Sequence, residues 1–206
     1  MPGHPAVLPV FDEVIHTELA DGRPVCIRTI RPTDEELMRK GIAQLSAHSR
    51  YLRFFSGQRT LPDGVIEKLV DVDGHQHIAW GAIRPTGSEH SAIGAVHVFR
   101  DSEHSANGEF SVAILDEFHG LGLARMLTAV ILVNCRLEKI NSLVVQILSE
   151  NQAALGLVRS LGGQRSSTSS SIADFTLETD LALERLRAQS GRKGLQDVLA
   201  QLAKYL

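Results

Sequence analysis

The amino-acid sequence predicts a mixed α/β fold, in which a mostly antiparallel, twisted sheet carries helices on both faces. Three consecutive apolar runs in the middle of the chain are separated by clusters of Gly, Pro, Ser and Asn, which is typical of an antiparallel meander. A later strand-like run, Ser142–Leu148, lies between two segments with helical periodicity, and its inner residues suit a strand that is covered on both faces. The 206 residues are enough for one domain with an appendage.

The N-terminal part is expected to form an arm followed by a β-hairpin. Residues 1–13 make up the arm, because three prolines fall within the first ten positions. Strands over residues 14–19 and 25–30 follow, and Asp21-Gly22 is a suitable turn between them.

Three short helices and the meander are predicted next. Thr33 is a candidate N-cap, and Glu36 stands three positions later, as in a capping box. Further helices are expected over residues 46–55 and 62–70, with Pro62 in the first turn of the latter. The three strands of the meander then occupy residues 78–83, 92–99 and 109–115.

The second half of the chain alternates helices and strands. A helix over residues 123–140 has apolar side chains around most of its circumference, so we expect it to be mostly buried. The strand Ser142–Leu148 follows, and then a helix over residues 151–161 that the pair Gly162-Gly163 ends. A closing hairpin is expected over residues 164–177, with its turn at 166–171.

The tail carries one apolar stripe. Four residues repeat at helical spacing on one face: Leu195, Val198, Leu199 and Leu202. This face either docks on the sheet of its own domain or forms a subunit contact in a homodimer. We therefore divide the chain into the arm, a folded domain over residues 14–178 and a helical extension over 179–206.

The most informative segment lies between the third strand of the meander and the long helix. Its core is His119-Gly120-Leu121-Gly122-Leu123-Ala124. Two glycines at alternate positions let the backbone curl, so that successive N–H groups point to one place. The first turn of the following helix adds unpaired donors and the positive end of its dipole. Such a ring of donors is suited to a phosphate or pyrophosphate.

Two kinds of phosphate loop do not fit these residues. A P-loop requires Gly-Lys-Ser/Thr, and the sequence contains no Gly-Lys pair. A dinucleotide-binding loop requires a third small residue where Arg125 stands, and a βαβ unit near the start of the chain.

The segment instead resembles the acyl-CoA loop of the GNAT superfamily of N-acetyltransferases, whose pattern is Gln/Arg-x-x-Gly-x-Gly/Ala, with His119 in place of Gln/Arg. Residues 151–162 look like the Asn-containing helix that follows in that family. Residues 25–34 are similar to its first strand and turn, and residues 45–55 to a helix of bacterial protein-lysine acetyltransferases. The resemblance covers residues 14–177 in the right order. It implies a GNAT fold and acetyl-CoA or coenzyme A as co-substrate.

The resemblance also assigns roles to the cofactor-binding residues. Backbone groups of Val112 and Ile114 would pair with the pantetheine arm and steady the thioester carbonyl. The backbone N–H groups of residues 119–124 would hold the pyrophosphate, and the His119 imidazolium could add positive charge opposite it. Asn151 would contact the cofactor arm, or act as a helix N-cap, or both. Many family members carry a Tyr that protonates the departing thiolate, and Val158 occupies the aligned position.

Glu109 is the candidate general base. Relatives that acetylate lysine carry a glutamate at the corresponding place, near the start of the central strand. Strand alternation puts Glu109, Ser111 and Ala113 on one face, so that a carboxylate is followed by small side chains that leave room for an amine. The alternative is an ordinary surface glutamate at the end of a strand.

The acceptor is then an amine, either a protein lysine or a small molecule, and a catalytically silent acyl-CoA-binding module is the alternative from a different class. A net charge of −3 and no dense Lys/Arg run argue against nucleic acid. The segment Asp71–His77 resembles metal ligands only by composition, so we expect no metal. The longest apolar run, residues 129–133, is too short to cross a membrane. We expect a cytoplasmic protein.

Overall fold

The computed structural model describes residues 11–55, 58, 60–86, 89–168, 171–189, 191 and 193–206. Within these residues there are eight strands: β1 (Val14–Glu18), β2 (Pro24–Thr29), β3 (His77–Thr86), β4 (Glu89–Arg100), β5 (Asn107–Ile114), β6 (Ser142–Leu148), β7 (Gln164–Thr168) and β8 (Ile172–Glu178). The same ranges contain seven α-helices: α1 (Glu35–Gln44), α2 (Ala47–Phe54), α3 (Asp63–Val70), α4 (Leu123–Leu137), α5 (Gln152–Ser160), α6 (Thr179–Ala188) and α7 (Lys193–Gln201).

All eight strands form one sheet in the order β1-β2-β3-β4-β5-β6-β8-β7. Every neighbouring pair is antiparallel except β5 and β6, which run parallel. The predicted fold class and the predicted meander are therefore confirmed. The one parallel pair is joined by α4, as a parallel connection needs a crossover helix.

The two faces of the sheet carry different helices, and alternation along β4 shows this directly. Val96 and Val98 are fully buried in the main core, which α4 shares. Ala95 and Phe99 point the other way and pack with the smaller clusters formed by α1 and α3. Helix α4 is the centre of the main core: eleven consecutive or near-consecutive residues from Leu123 to Cys135 are buried, as its apolar circumference predicts.

Two local predictions need correction. The helix near Thr33 does not begin with a Thr33 capping box. A 3-10 turn, Pro32–Asp34, precedes α1, and Asp34 accepts from the Arg31 backbone N–H at 2.8 Å and pairs with Arg28. The closing hairpin turns later than expected, because β7 continues to Thr168; residues 169–170 of the predicted turn lie outside the described residues.

The chain ends pack on the domain. Phe11, which we assigned to the arm, is fully buried, and its ring lies 5.0 Å from Trp80 and 4.6 Å from Tyr205. Residues 1–10 of the arm lie outside the described residues. The division into arm, domain and extension stays a prediction, but Phe11 belongs to the core.

The apolar stripe of the tail is buried within its own chain. Leu195, Val198, Leu199 and Leu202 all lie in the main core, where α7 contacts α4 and β1. This leaves the homodimer alternative without the surface on which it rested. No α-helix in the described ranges is long and apolar enough to cross a membrane.

Candidate functional site

A groove opens where the two parallel strands part. Strands β5 and β6 pair only at their starts, through Asn107, Gly108 and Glu109, and the last pair is Glu109 with Val144. Beyond that pair the two strands diverge. The groove there has a volume of about 750 Å³ and runs from β5 to the start of α5.

The open edge of β5 presents main-chain groups to this groove. The Leu115 N–H donates to the Ile93 carbonyl of β4 at 2.9 Å. Since main-chain groups of a strand alternate between its two edges, those of Val112 and Ile114 point away from β4, toward the groove. Both residues line it.

The loop formed by residues 119–124, called the glycine loop below, lies at one end of the groove. Gly120 and Gly122 have φ values of +76° and +89°, which L side chains rarely adopt, so both glycines are needed for this curl. Gly122 is the N-cap of α4. No described residue accepts a hydrogen bond from the backbone N–H groups of residues 120–124. Unpartnered donors at the positive end of a fifteen-residue helix are suited to binding an anion.

The His119 side chain is directed at β5. Its Nε2–H donates to the Ile114 carbonyl at 2.9 Å, which fixes that nitrogen as the protonated one because a carbonyl can only accept. The ring therefore fastens the loop to the open edge of β5. It also engages the carbonyl that we had assigned to the pantetheine arm, so the Val112 groups and the Ile114 N–H are the ones left facing the groove.

Asp116 ties the same loop to α2. Its carboxylate accepts from the Ser46 N–H at 3.1 Å, and from the Ser46 and Ser49 hydroxyls at 2.8 Å each. Desolvation raises the pKa of Asp116, but these hydrogen bonds and the nearby His119 outweigh it and lower the pKa to about 2. Ser46 also caps α2 by accepting from the Ser49 N–H. The sequence predicted a helix from residue 46 but gave no sign of the bond to Asp116, which lies 70 positions away.

Asn151 lies at the start of α5, on the opposite wall. Its Oδ1 accepts from the Ala154 N–H at 3.0 Å, so the capping part of the prediction is borne out by the geometry. The residue also lines the groove, with its amide NH₂ not used by the cap. A contact with a cofactor stays a prediction.

Glu109 lies at the other end of the groove from the loop and is exposed. It shares the face of β5 that is covered by α2. There Arg53 of α2 donates from Nη2 to the Ser111 hydroxyl at 2.6 Å. Burial lowers the pKa of Arg53 to about 10, and the Glu109 carboxylate opposes that change, so the two charges interact across the groove wall.

The position aligned with the family tyrosine is apolar. Val158 is buried and lines the groove, so no hydroxyl reaches the groove from that position. The two tyrosines of the chain lie elsewhere: Tyr51 is an exposed residue of α2, and the Tyr205 hydroxyl donates to Glu13 at 2.5 Å.

The structure brings nine of the ten predicted site residues around one groove. They are Glu109, Val112, Ile114, His119, Gly120, Gly122, Leu123, Ala124 and Asn151. Leu121 does not line it: its side chain packs against the main core, and its carbonyl accepts from the Ala20 N–H at 3.1 Å. Asp116 and Arg53 also line the groove, and neither was predicted as a site residue.

In the segment Asp71–His77, the Asp73 and His77 side chains are engaged in hydrogen bonds with other groups of the protein. Asp73 accepts from the backbone N–H groups of residues 75, 76 and 77, which makes a tight turn. His77 bonds the Asp71 carbonyl at 2.8 Å and His97 at 3.0 Å. Within the described ranges, no three His, Cys, Asp or Glu side chains are grouped so that they could hold a metal ion.

Comparisons with known proteins agree with this geometry. A family model described as an acetyltransferase (GNAT) domain matches residues 25–164. An acetyltransferase of Pseudomonas aeruginosa is 30% identical over 149 residues, which are 71% of this chain and 80% of that protein. The acetyltransferase Pat of Mycolicibacterium smegmatis is 22% identical over 155 residues, but the match spans only 46% of its length.

Solved structures share the fold. The GNAT domain of the Streptomyces lividans protein PAT superposes with a TM-score of 0.72 at 19% identity, covering 80% of this chain and 96% of that one. RimJ of Mycobacterium smegmatis, solved in complex with CoA-disulfide, gives a TM-score of 0.65 at 13% identity, covering 87% and 94%. At these identities the likeness concerns the fold alone.

Proposed function

The chain belongs to the GNAT family of acetyltransferases, and on that premise we propose that it moves an acetyl group from acetyl-CoA directly to a primary amine, with Glu109 as general base. The observation that carries the proposal is the single groove with unpartnered N–H donors at one end and Glu109 at the other. An elongated cofactor with a charged end and a reactive end needs this arrangement.

Coenzyme A is held by the loop and the open strand edge in this account. Its pyrophosphate accepts from the backbone N–H groups of residues 120–124, at the positive end of α4. The pantetheine arm lies along β5 and pairs with the main-chain groups of Val112. Asn151 faces the arm from α5. RimJ, a protein of the same fold, was solved with CoA-disulfide, which supports this choice of cofactor.

Glu109 removes the proton that keeps the acceptor amine from acting as a nucleophile. Withdrawing the proton from a lysine-like ammonium at neutral pH costs about 4–5 kcal/mol. The Glu109 carboxylate accepts that proton, directly or through a water molecule. The amine nitrogen then forms a bond to the thioester carbonyl carbon, the C–S bond breaks, and coenzyme A leaves as the thiolate. A backbone N–H of β5 stabilises the carbonyl oxygen as negative charge develops on it.

The thiolate leaving group makes a protonating tyrosine dispensable. Thiols have pKa values near 8–9, so the thiolate is a far better leaving group than an alkoxide. Val158 in the tyrosine position is therefore compatible with activity. The same residue is the one observation in favour of a second candidate function, a silent module that binds acyl-CoA without transferring the acyl group.

A protein lysine is the acceptor that we propose. Glu109 is exposed, so an amine on the surface of another protein can reach it. Helix α2 borders this end of the groove through Arg53 and is the helix that resembles those of protein-lysine acetyltransferases. A small-molecule amine is the other enzymatic outcome of the test below.

The test measures coenzyme A release from acetyl-CoA with a panel of lysine-containing peptides, intact proteins and small amines, and mass spectrometry identifies the products. We expect acceptor-dependent release with an acetyl group on a lysine Nζ. Release with small amines only would replace the lysine part of the proposal. Tight acetyl-CoA binding without release for any acceptor would favour the silent module, and no binding would refute the cofactor assignment.

A further inference from the structure

A second, smaller cavity lies beside the groove, between α1, α2 and the face of the sheet formed by β3, β4 and β5. Its volume is about 70 Å³. It shares three lining residues with the groove, Leu45, Arg53 and Ala113, so the two spaces meet beside Ala113, near the end of β5. By the usual measure a water molecule needs about 10–15 Å³, so the cavity has room for a short aliphatic chain.

The walls of this cavity are mostly apolar. On the sheet side several of the lining residues are small, among them Gly81, Gly94, Ala95 and Ala113. The helices contribute larger side chains, Met38 and Phe54 among them. The small residues leave the space open between the sheet and the larger side chains of the helices. A space with these walls favours an uncharged hydrocarbon group.

The polar groups at the cavity do not provide a site for an amine. Arg28 and Asp34 pair with each other through two bonds of 2.7 Å. His97 is neutral: burial holds its pKa well below the usual range, with help from His77 and Arg53. The carbonyl of Asp71 fixes the proton of His77 on Nδ1, so His97 Nδ1–H donates to His77 Nε2 at 3.0 Å.

Arg53 lies at the junction of the two spaces. Its Nη2 donates to the Ser111 hydroxyl, and on the groove side its charge interacts with the Glu109 carboxylate. A cation at the junction repels a protonated acceptor amine that would pass from the groove into the cavity, where Glu109 does not lie. Glu109, the proposed base, lines the groove and not the cavity. The amine therefore approaches on the groove side, which leaves the cavity for the other reactant.

We propose that this cavity receives the acyl chain of the CoA thioester, and that the protein takes acyl groups of three and four carbons as well as acetyl. The inference rests on the proposed function, because the thioester must lie along β5 for its chain to pass Ala113 into the cavity. Transfer follows the same balanced step as for acetyl: the amine nitrogen gains the acyl carbon, and the thiolate leaves.

The test compares acetyl-, propionyl-, butyryl- and octanoyl-CoA by calorimetric binding and by transfer to one common amine. Each buried methylene group is worth about a fourfold gain in binding, and butyryl has two more of them than acetyl, so butyryl-CoA should bind about fifteen times more tightly than acetyl-CoA. Octanoyl-CoA should lose that gain, because its chain exceeds the cavity. The transfer rate, kcat/KM, for butyryl-CoA should lie within about tenfold of that for acetyl-CoA.

A filling variant links the effect to the cavity. Ala95→Leu should abolish the preference for butyryl-CoA over acetyl-CoA, and Ala95→Val should reduce it. The matched control Ala200→Leu, at an exposed position of α7, should leave the ratio unchanged. Thermal melting shows whether each variant folds; if neither Ala95 variant does, the wild-type series decides.

Two outcomes would overturn the inference. One is a butyryl-CoA that binds no more tightly than acetyl-CoA in the wild type. The other is a folded Ala95→Leu that keeps the wild-type ratio. In both cases acetyl-CoA still binds and reacts, so the proposed function stands. Failure of every thioester to bind would refute the proposed function as well.

Discussion

The Asp116 carboxylate joins the glycine loop to α2, and its replacement tests whether that junction holds the site together. The substitution Asp116→Asn keeps the size of the side chain but removes its charge. It weakens three hydrogen bonds, from the Ser46 N–H and from the Ser46 and Ser49 hydroxyls. The loop should then be less firmly fixed next to the anion site.

The size of the effect follows from the pKa. Hydrogen bonds from Ser46 and Ser49 lower the pKa of Asp116 from 3.8 to about 2, against the opposing effect of desolvation. At about 1.4 kcal/mol per unit of pKa, this lowering would correspond to about 2.5 kcal/mol of folding free energy. Asp116 is exposed, however, so solvent screens the interaction, and we expect a loss of about 1 kcal/mol. For a chain of this size, that lowers Tm by about 2–4 °C.

Urea unfolding at a series of pH values measures the free energy of unfolding that Asp116→Asn loses and shows whether the loss depends on the charge of Asp116. The folded pKa of Asp116 is lower than the unfolded one, so its stabilising effect is present above pH 4 and disappears as the pH falls from about 4 to 2. The difference between wild type and variant should shrink over the same range. Glu117→Gln, the neighbouring exposed acid, is the control and should change little. A difference that is equal at pH 7 and pH 2.5, or absent at pH 7, would refute the reasoning.

Three further substitutions test the loop and the opposite wall. Gly122→Ala should lower the free energy of unfolding by about 1–2 kcal/mol and weaken CoA binding in calorimetry, because the φ of +89° at this position strains any L side chain. The control Gly64→Ala, at a helix position with open space around it, should be neutral or stabilising, and equal effects of the two substitutions would contradict the prediction. His119→Gln should bind CoA within about threefold of wild type, since its amide can donate to the Ile114 carbonyl, whereas His119→Ala should bind CoA more weakly. Equal CoA affinities of the two variants would show that this hydrogen bond does not contribute to binding. Asn151→Ala should lower the free energy of unfolding by about 1 kcal/mol through loss of the α5 cap, and no loss in denaturant titration would contradict that role.

Most of the fold was predictable because its signals are local. The order of strands and helices follows from hydrophobic periodicity and from turn residues such as Asp21-Gly22. The anion loop follows from two glycines before an apolar helix. The resemblance to a family then supplied what periodicity cannot, the roles of the cofactor-binding residues and of Glu109 as the candidate general base.

Local sequence motifs did not predict the hydrogen bonds that depend on which side chains meet in the folded protein. The Thr33 capping box is replaced because Asp34 pairs with Arg28 and with the Arg31 N–H. The link from Asp116 to Ser46 spans 70 positions, and no sequence pattern announces it. The tail stripe could dock on its own domain or on a second subunit, and only the three-dimensional packing on α4 and β1 distinguishes the two.

The central claim is that Glu109 removes the proton from the acceptor amine. Its most direct test is kcat/KM for acetyl transfer by Glu109→Gln, with the Kd of acetyl-CoA measured alongside, and with Glu103→Gln as an exposed control from the preceding turn. General-base catalysis contributes about 100- to 10,000-fold, so Glu109→Gln should lose that much activity while its Kd stays within about threefold of wild type. A Glu109→Gln protein that transfers acetyl groups as fast as Glu103→Gln would contradict the account.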